Sequence, residues 1–328
     1  MRVLVTGGAG YIGSHTVKML EKIADKVVVY DNLSKGHKQA VPNSILVQGD
    51  LFDKKLLKTV LTEHKIEAVV HFAAFSLVAE SMTNPQLYYH NNVQGTLSLL
   101  EVMLECSVNK LVFSSTAAVY GEPEVMPISE EALKNPTNVY GQTKLMMEQI
   151  MADYAKVYDF NYIALRYFNA CGADDSGTIG EDHSPESHLI PLVLQTCLGL
   201  RNSIKIFGTD YDTADGSCVR DYIHVNDLGQ AHILALQALY RGASSTAYNL
   251  GNGTGFSVKE IIAAAEEVTG IKIVKELTER RAGDPACLIA SSTKIKEELQ
   301  WQPQYTEIKD IIASAWQWQK NNPQGFAK

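Results

Sequence analysis

The sequence predicts an α/β protein, a doubly wound parallel sheet joined to a second, smaller α/β domain. Three observations carry that prediction. Short β-branched runs alternate with longer helical stretches through the first half of the chain, as repeated βαβ units do. The runs are almost wholly apolar instead of alternating, as strands covered on both faces must be. The first run also passes directly into a glycine-rich turn, TGGAGYIGSH at residues 6–15.

The candidate strands are RVLVT (2–6), KVVVY (26–30), SILVQ (44–48), AVVHF (68–72), KLVFS (110–114) and YIALR (162–166). Helices are expected near 12–24, 53–64, 84–106 and 140–158. Residues 1–170 thus form the first domain. Beyond them the texture changes, with polar loops at 170–188 and 208–218. A helical stretch at 226–241 and the strand-like AYNLG (247–251) are expected to return residues 226–251 to the first sheet. The rest of 171–328 reads as the second domain.

Two helices are too apolar for a simple surface cover. One carries Val93, Leu97, Leu99, Leu100, Met103 and Leu104, the other Leu145, Met146, Met147, Ile150, Met151 and Tyr154. Either they line a deep groove in a thick domain or they meet a second copy of the chain in a symmetric homodimer.

Composition narrows the function. The chain has 328 residues, 45% of them hydrophobic and 20% charged, with a formal net charge of −8. That balance argues against nucleic-acid binding, which leaves a basic footprint. No segment approaches the roughly 18 unbroken apolar residues of a membrane span, and MRVLVTGGAG breaks into glycines before a signal-peptide core could form. Cys106, Cys171, Cys197, Cys218 and Cys287 are odd in number and form no C-x-x-C pair, which suits reduced thiols in the cytoplasm.

Glycines at 7, 10 and 13, with Gly8 completing a literal G-x-G-x-x-G, suit a tight turn and close approach of a pyrophosphate. A helix starting near Tyr11 would aim free N–H groups at the phosphates. The strand-to-helix position gives the motif its force. The second strand ends at Asp31, 18 residues after Gly13. A carboxylate there accepts the hydroxyls of an adenosine ribose and repels a 2′-phosphate, which favours NAD over NADP; Lys35, a nearby cation, tempers the preference. GDL (49–51) and HFAAF (71–75) lie at further strand ends, where such sheets bind ligands.

YGQTK places Tyr140 and Lys144 four residues apart, on one helical face. A free phenol has a pKa near 10; an ammonium and a cationic nicotinamide beside it would favour phenolate. Tyr140 could then take an alcohol proton as the carbon gives up hydride, with Thr116, at the end of the fifth strand, bonding the same oxygen.

With these residues, the stretches YYHNNVQGT (88–96), RYFNACGA (166–173), VRDYIHVNDL (219–228), YNLGNGTG (248–255) and RRAGDP (280–285) resemble the UDP-sugar 4-epimerases of the extended short-chain dehydrogenase/reductase family along essentially the whole chain. The resemblance implies a Rossmann domain and reversible epimerisation at C4 of UDP-hexoses, UDP-galactose and UDP-glucose, through a transient 4-keto sugar. It implies tightly held NAD contacted by Gly7, Gly10, Tyr11, Ile12, Gly13, Asp31, Asn32, Leu33, Ser34, Lys35, Gly36, Asp50, Leu51, Phe72, Ala73, Ala74, Ser76, Asn91, Thr116, Tyr140, Lys144 and Phe168. It assigns the UDP-sugar to Thr116, Tyr140, Asn169, His188, Leu189, Lys205, Phe207, Arg220, Arg281, Asp284 and Leu288. In a net-acidic protein the arginines fit a pyrophosphate. Three positions depart from one form of the pattern. Ser76 stands where some members carry lysine, and His188 where some carry asparagine. Leu288 stands where bulk influences whether an N-acetyl group fits.

His183, His188 and His224 are separated by loops without metal-ligand spacing, so no metal is expected. There is no G-x-S-x-G elbow for a hydrolase. A nucleotide-sugar 4,6-dehydratase is the nearest rival, but its resemblance group places carboxylates directly after the threonine, where this chain has Ala117 and Ala118. A UDP-glucuronate decarboxylase and a non-catalytic NAD-sensing regulator are weaker alternatives, the latter having no need of Thr116, Tyr140 and Lys144 together.

Overall fold

A computed structural model describes residues 1–281 and 284–326. The expected strands form as β1 (Arg2–Thr6), β2 (Lys26–Asp31), β3 (Ile45–Gln48), β4 (Ala68–His71), β5 (Lys110–Ser114) and β6 (Asn161–Arg166). Five short strands follow, β7 (Asn169–Cys171), β8 (Ile204–Phe207), β9 (Val219–Arg220), β10 (Tyr222–His224) and β11 (Thr246–Asn249), then β12 (Phe256–Ser257), β13 (Lys275–Thr278) and β14 (Cys287–Leu288). Seven strands pair in the order β11-β6-β5-β4-β1-β2-β3, every pair parallel. This is the predicted doubly wound sheet. Chain order reverses at β1, flanked by β4 and β2, and ligands bind outside the strand ends at such a switch point.

Helices α1 (Tyr11–Leu20), α2 (Lys54–Glu63), α3 (Val78–Thr83), α4 (Pro85–Tyr88), α5 (Gly95–Glu105) and α6 (Val139–Val157) belong to this half of the chain. Strand β1 shows why both faces are covered. Val3 and Val5 join Val17 and Leu20 of α1 in one core. Leu4 joins Leu57, Leu99, Leu100, Phe113 and Met147 on the other face, beneath α2, α5 and α6. Helix α8 (Val225–Tyr240), introduced after α7 (Leu189–Cys197), returns to the first face with Leu228 and Leu236, and β11 pairs with β6 at the sheet edge.

The single helix expected over 84–106 is interrupted. A π-helical segment, Tyr89–Gln94, separates α4 from α5, and such segments often mark functional positions. The apolar side chains of α5 and α6 divide. Leu99, Leu100, Met103, Met147 and Met151 are buried against the sheet, whereas Val93, Leu97, Leu104, Met146, Ile150 and Tyr154 are half-buried.

Helices α7, α9 (Val258–Thr269) and α11 (Ile308–Asn321) build a separate core with Ile204 and Ile206 of β8. Small sheets β13-β8 and β12-β9-β14 lie in this half, and α10 (Thr293–Leu299) packs with the first core through Ile295 and Leu299. All five cysteines are free thiols.

Four histidines sit inside this packing as neutral rings. Burial lowers His15 and His232 to about 4 and His71 and His224 to about 3. The His71 ring lies between the Thr6 and Thr96 hydroxyls, 2.7 and 3.0 Å away. Below pH 6.5 the unfolded chain takes up protons that the folded chain refuses, so each ring removes about 1.4 kcal/mol of stability per pH unit until it titrates. Asp221, raised to about 6 by burial, works the other way. His183 is raised to about 10, so its stabilisation is essentially in place below pH 6.5. Urea unfolding is therefore expected to give a stability about 5 kcal/mol lower at about pH 5 than at about pH 6.5. A flat profile across that window would contradict the neutral-histidine reading.

Candidate active site

The glycine turn closes at the carboxyl end of β1. Gly7 has φ +69°, and a Cβ there would lie 2.5 Å from the Ala73 nitrogen. The turn is thereby locked onto the loop after β4, and Gly13 packs on the Gly7 carbonyl. Gly10 is the N-cap of α1 with φ −77° and no side-chain cap.

Asp31 ends β2 and is buried. Its two oxygens accept from Ala9 N and Leu33 N at 2.9 and 2.8 Å. The carboxylate therefore also splints the glycine turn, a structural role that sequence spacing did not announce. Its pKa is raised by burial, with the two backbone N–H groups opposing. Gly36 packs on Ala9, Ser34 N donates to Asn32, and Asn32 donates to Asp50 at 2.9 Å. Lys35 reaches across to the Ser184 carbonyl at 3.1 Å. Leu51 is buried; Phe72 tilts against His232 with ring centroids 4.6 Å apart. Ala73 and Ala74 are half-buried and Ser76 is exposed. Tyr11 is half-buried and donates to the Gly172 carbonyl at 2.6 Å, and Ile12 packs on the first core.

Thr116, Tyr140 and Lys144 converge at the end of β5. Thr116 caps a 3-10 turn, Ala117–Tyr120, accepting from Ala118 N at 3.1 Å. Tyr140 lies in the first turn of α6, where Asn138 accepts from Gly141 N, a cap worth about 1 kcal/mol. The Tyr140 backbone N–H is held by Ser81 Oγ at 3.1 Å. Desolvation pushes the Tyr140 hydroxyl up to about 12, against a lowering hydrogen bond from Thr116. Lys144 is 3% exposed, donates to the Ser114 carbonyl at 2.8 Å and lies 5.9 Å from the centre of the Tyr140 ring. Burial pulls its ammonium down to about 7, with Glu148 opposing. Burial thus works against the phenolate that the helical spacing suggests.

Two positioning devices were not legible in the sequence. Asn92, in the π-helical segment, is fully buried and clasps Phe75 through both backbone groups while donating to Thr143 at 3.1 Å. The segment bearing Asn91 is thereby tied to α6. Below the site, Glu148 and Arg166 form a buried two-point pair at 2.9 and 2.5 Å. Glu148 also accepts from Ser115 at 2.5 Å, and Arg166 donates to Tyr120 at 2.7 Å. The residues flanking Thr116 are therefore fixed from beneath by a satisfied charge network.

The other group spreads across the second half of the chain. Asn169 donates to the Asp221 carbonyl at 3.0 Å. Arg220 pairs with Asp284, and Arg281 stacks on Phe207 at 3.8 Å. Leu288 packs with Phe168 beside the 3-10 turn. Lys205 is exposed on β8. His188 caps α7, directly before Leu189, and faces Glu181. Ala282 and Gly283 of the RRAGDP stretch lie outside the described residues. A loop separates His183 from His188 along the chain, as expected, yet it folds so that their rings lie 5.2 Å apart, edge to face. Both surround Glu181; although burial raises that carboxyl, His188 and His183 hold it down to about 2.

Residues 3–251 match the NAD dependent epimerase/dehydratase family. The chain belongs to that family. It is 54% identical over 327 residues to a UDP-glucose 4-epimerase of Halalkalibacterium halodurans, covering 100% of this chain and 98% of that one. A Bifidobacterium longum UDP-glucose 4-epimerase solved with NAD+ and UDP superposes with TM-score 0.93 at 39% identity, covering 99% and 100% of the two chains. A UDP-Glc/GlcNAc 4-epimerase of Campylobacter jejuni gives 0.86 at 43% identity, covering 98% and 99%.

The residues present fit a family dinucleotide. Gly10 does not need glycine for its backbone angle, yet a Cβ there would meet only the Gly7 carbonyl, at 3.3 Å. Its missing side chain leaves room at an uncapped helix N-terminus, which suits a diphosphate. One energetic test follows from the charge network. Glu148→Ala would strand the Arg166 guanidinium and is expected to lower stability by about 3–5 kcal/mol in urea unfolding. A loss below about 1 kcal/mol would mean that water reaches the pair.

Proposed function

We propose that this family member interconverts UDP-hexoses epimeric at C4, UDP-galactose and UDP-glucose, with NAD kept as a prosthetic group. The observation that carries the reading is the convergence of Thr116, Tyr140 and Lys144 beside the glycine turn, with Ala117 and Ala118 following the threonine.

Tyr140 is the acid–base group: it removes the proton from the sugar 4-hydroxyl and later returns it. Thr116 holds that oxygen through its hydroxyl, and the Lys144 ammonium favours phenolate over phenol. NAD, when bound, supplies a hydride acceptor and then a hydride donor at C4, giving a transient 4-keto sugar and no net oxidation. Asp31, Asn32 to Gly36, Asp50 and Leu51 fit the adenosine end, and Phe72 to Ala74, Ser76, Asn91 and Phe168 the nicotinamide end. Asn169, His188, Leu189, Lys205, Phe207, Arg220, Arg281, Asp284 and Leu288 fit the UDP-sugar, which must stay anchored by its diphosphate while the keto sugar turns over. Arg220 and Arg281 are suited to that as fixed cations.

Residues 1–170 with 226–251 form the NAD-binding domain in this reading, and the remainder of 171–328 the UDP-sugar domain. The half-buried stripe on α5 and α6, Val93 to Tyr154, supports a homodimer built across those helices. Among the described residues no helix is long and apolar enough to cross a membrane, and a cytoplasmic location is proposed with the free thiols in support.

Tyr140→Phe is expected to lower kcat with UDP-galactose by about 10²–10⁴-fold while the purified protein retains its NAD. Near-normal turnover would remove Tyr140 from its role. Product analysis with UDP-galactose, UDP-N-acetylgalactosamine and dTDP-glucose side by side is expected to give the C4 epimers of the UDP-sugars and no 4-keto-6-deoxy sugar. Accumulation of that product would mark a dehydratase instead.

A further inference from the structure

Away from the reacting groups, the loop that leads into α7 gathers Glu181, His183, Glu186 and His188. One donor atom from each of the four lies within 4.8 Å of every other. His183 Nδ1 is 3.2 Å from Glu181 Oε1 and 3.8 Å from Glu186 Oε1, and His188 Nδ1 meets the same Glu181 oxygen. The cluster is pre-ordered. Glu186 Oε1 accepts from the Ser187 and His188 backbone N–H groups at 2.7 and 2.8 Å, and Glu181 is buried.

A second observation comes from a different element. Glu181, His183 and Glu186 line a cavity of about 40 Å³ together with Trp318, Gln319 and Asn322 of the C-terminal segment. That volume accommodates an ion with a water, a single water needing roughly 10–15 Å³. Gln319, only 8% exposed, lines the same cavity, and its side-chain oxygen is buried with no hydrogen-bond partner. A buried amide oxygen left unpaired costs about 1–3 kcal/mol, and a donor in the cavity, such as a water bound to a cation, would satisfy it.

We propose that Glu181, His183, Glu186 and His188 form a structural site for a divalent transition ion of the zinc class. Two imidazoles and two carboxylates are a donor set such an ion accepts in four-coordinate geometry. A tetrahedral ion with ligands at about 2.0–2.2 Å needs its donors about 3.3 Å apart, so side-chain rotations of about an ångström close the cluster. Gln319, directly or through a water, is the outer partner. Two carboxylates also supply the charge that neutralises a dication. Bound there, the ion would pin three elements. Tyr11 of α1 packs edge to face on His183, with centroids 6.1 Å apart. Trp318 of α11 donates to the Glu181 carbonyl at 3.2 Å. His188 caps α7. The site thus clamps the second half of the chain to the first turn of the dinucleotide-binding half.

The test uses the full-length protein with its NAD, stripped with a chelating resin and titrated with zinc chloride. Elemental analysis is expected to find a single tightly held zinc per chain, with a rise in Tm on loading. In a His183→Ala/His188→Ala variant that keeps its NAD and circular dichroism, zinc affinity should fall by at least about 10–100-fold, the loss that removing even an outer partner produces. Absence of retained zinc in the wild-type protein, or unchanged affinity in the variant, would overturn the proposal. If the variant does not fold, cobalt decides: visible bands of low-coordinate Co(II) without thiolate charge transfer are expected. Thiolate bands would place the metal on the free cysteines and overturn it too.

Discussion

The chemistry rests on two groups that prefer to be uncharged where they stand. Tyr140 and Lys144 share one face of α6, and burial opposes charge on both, lifting the phenol to about 12 and lowering the ammonium to about 7. At neutral pH burial therefore favours phenol over phenolate. Thr116 contributes a hydrogen bond, and Lys144 sits 5.9 Å from the ring centre with its own charge weakened. In the proposed reading, a cationic nicotinamide bound beside Tyr140 would favour phenolate and so couple the base to the cofactor.

That coupling only works if the cradle and the base are rigidly related. The glycine turn is locked on the loop after β4, because Gly7 admits no Cβ beside Ala73. The same loop is held at Phe75 by Asn92, which reaches Thr143 in α6 one residue before Lys144. From beneath, Glu148 fixes Ser115 and Arg166 fixes Tyr120, so Thr116 is bracketed on both sides. The parallel sheet supplies the frame, and a few buried polar contacts convert it into a defined geometry.

Most of that frame was legible in the residues. Wholly apolar strands such as VLV and VVV have one comfortable place, the middle of a two-sided sheet. The glycine spacing marked the turn after β1, and Asp31 at the end of β2 proved to be the splint of that turn. What stayed hidden was the polar interior. Glu148 follows Lys144 by four residues and reads as an ordinary helical ion-pair partner; its main partner, Arg166, lies on β6 and is brought there by the fold. Asn92 looked like one polar residue in a long helix because nothing local announces a π-helical turn. His183 and His188 stand five residues apart in a loop, and only the loop fold brings both around Glu181. Periodicity reports what faces a core, whereas these contacts depend on which segments the core brings together.

The two alanines after Thr116 show how the same physics limits reactivity. Ala117 is 1% exposed and packs with Val119, Tyr120, Ile128 and Leu145. A carboxylate in its place would be desolvated among these apolar side chains, at a cost of several kcal/mol unless it were paired. The carbonyl of Ala118 lies where a Cβ on Gly141 would approach to 2.7 Å, so the turn presses closely on the helix that carries Tyr140. An acid and a base that could drive elimination are therefore missing at Ala117 and Ala118 in residue type, and Ala117 itself sits in apolar packing. In the proposed reading a 4-keto sugar beside this turn would meet the Thr116 and Tyr140 hydroxyls and apolar surface from Phe168 and Leu288, with no carboxylate at Ala117 or Ala118 to drive elimination.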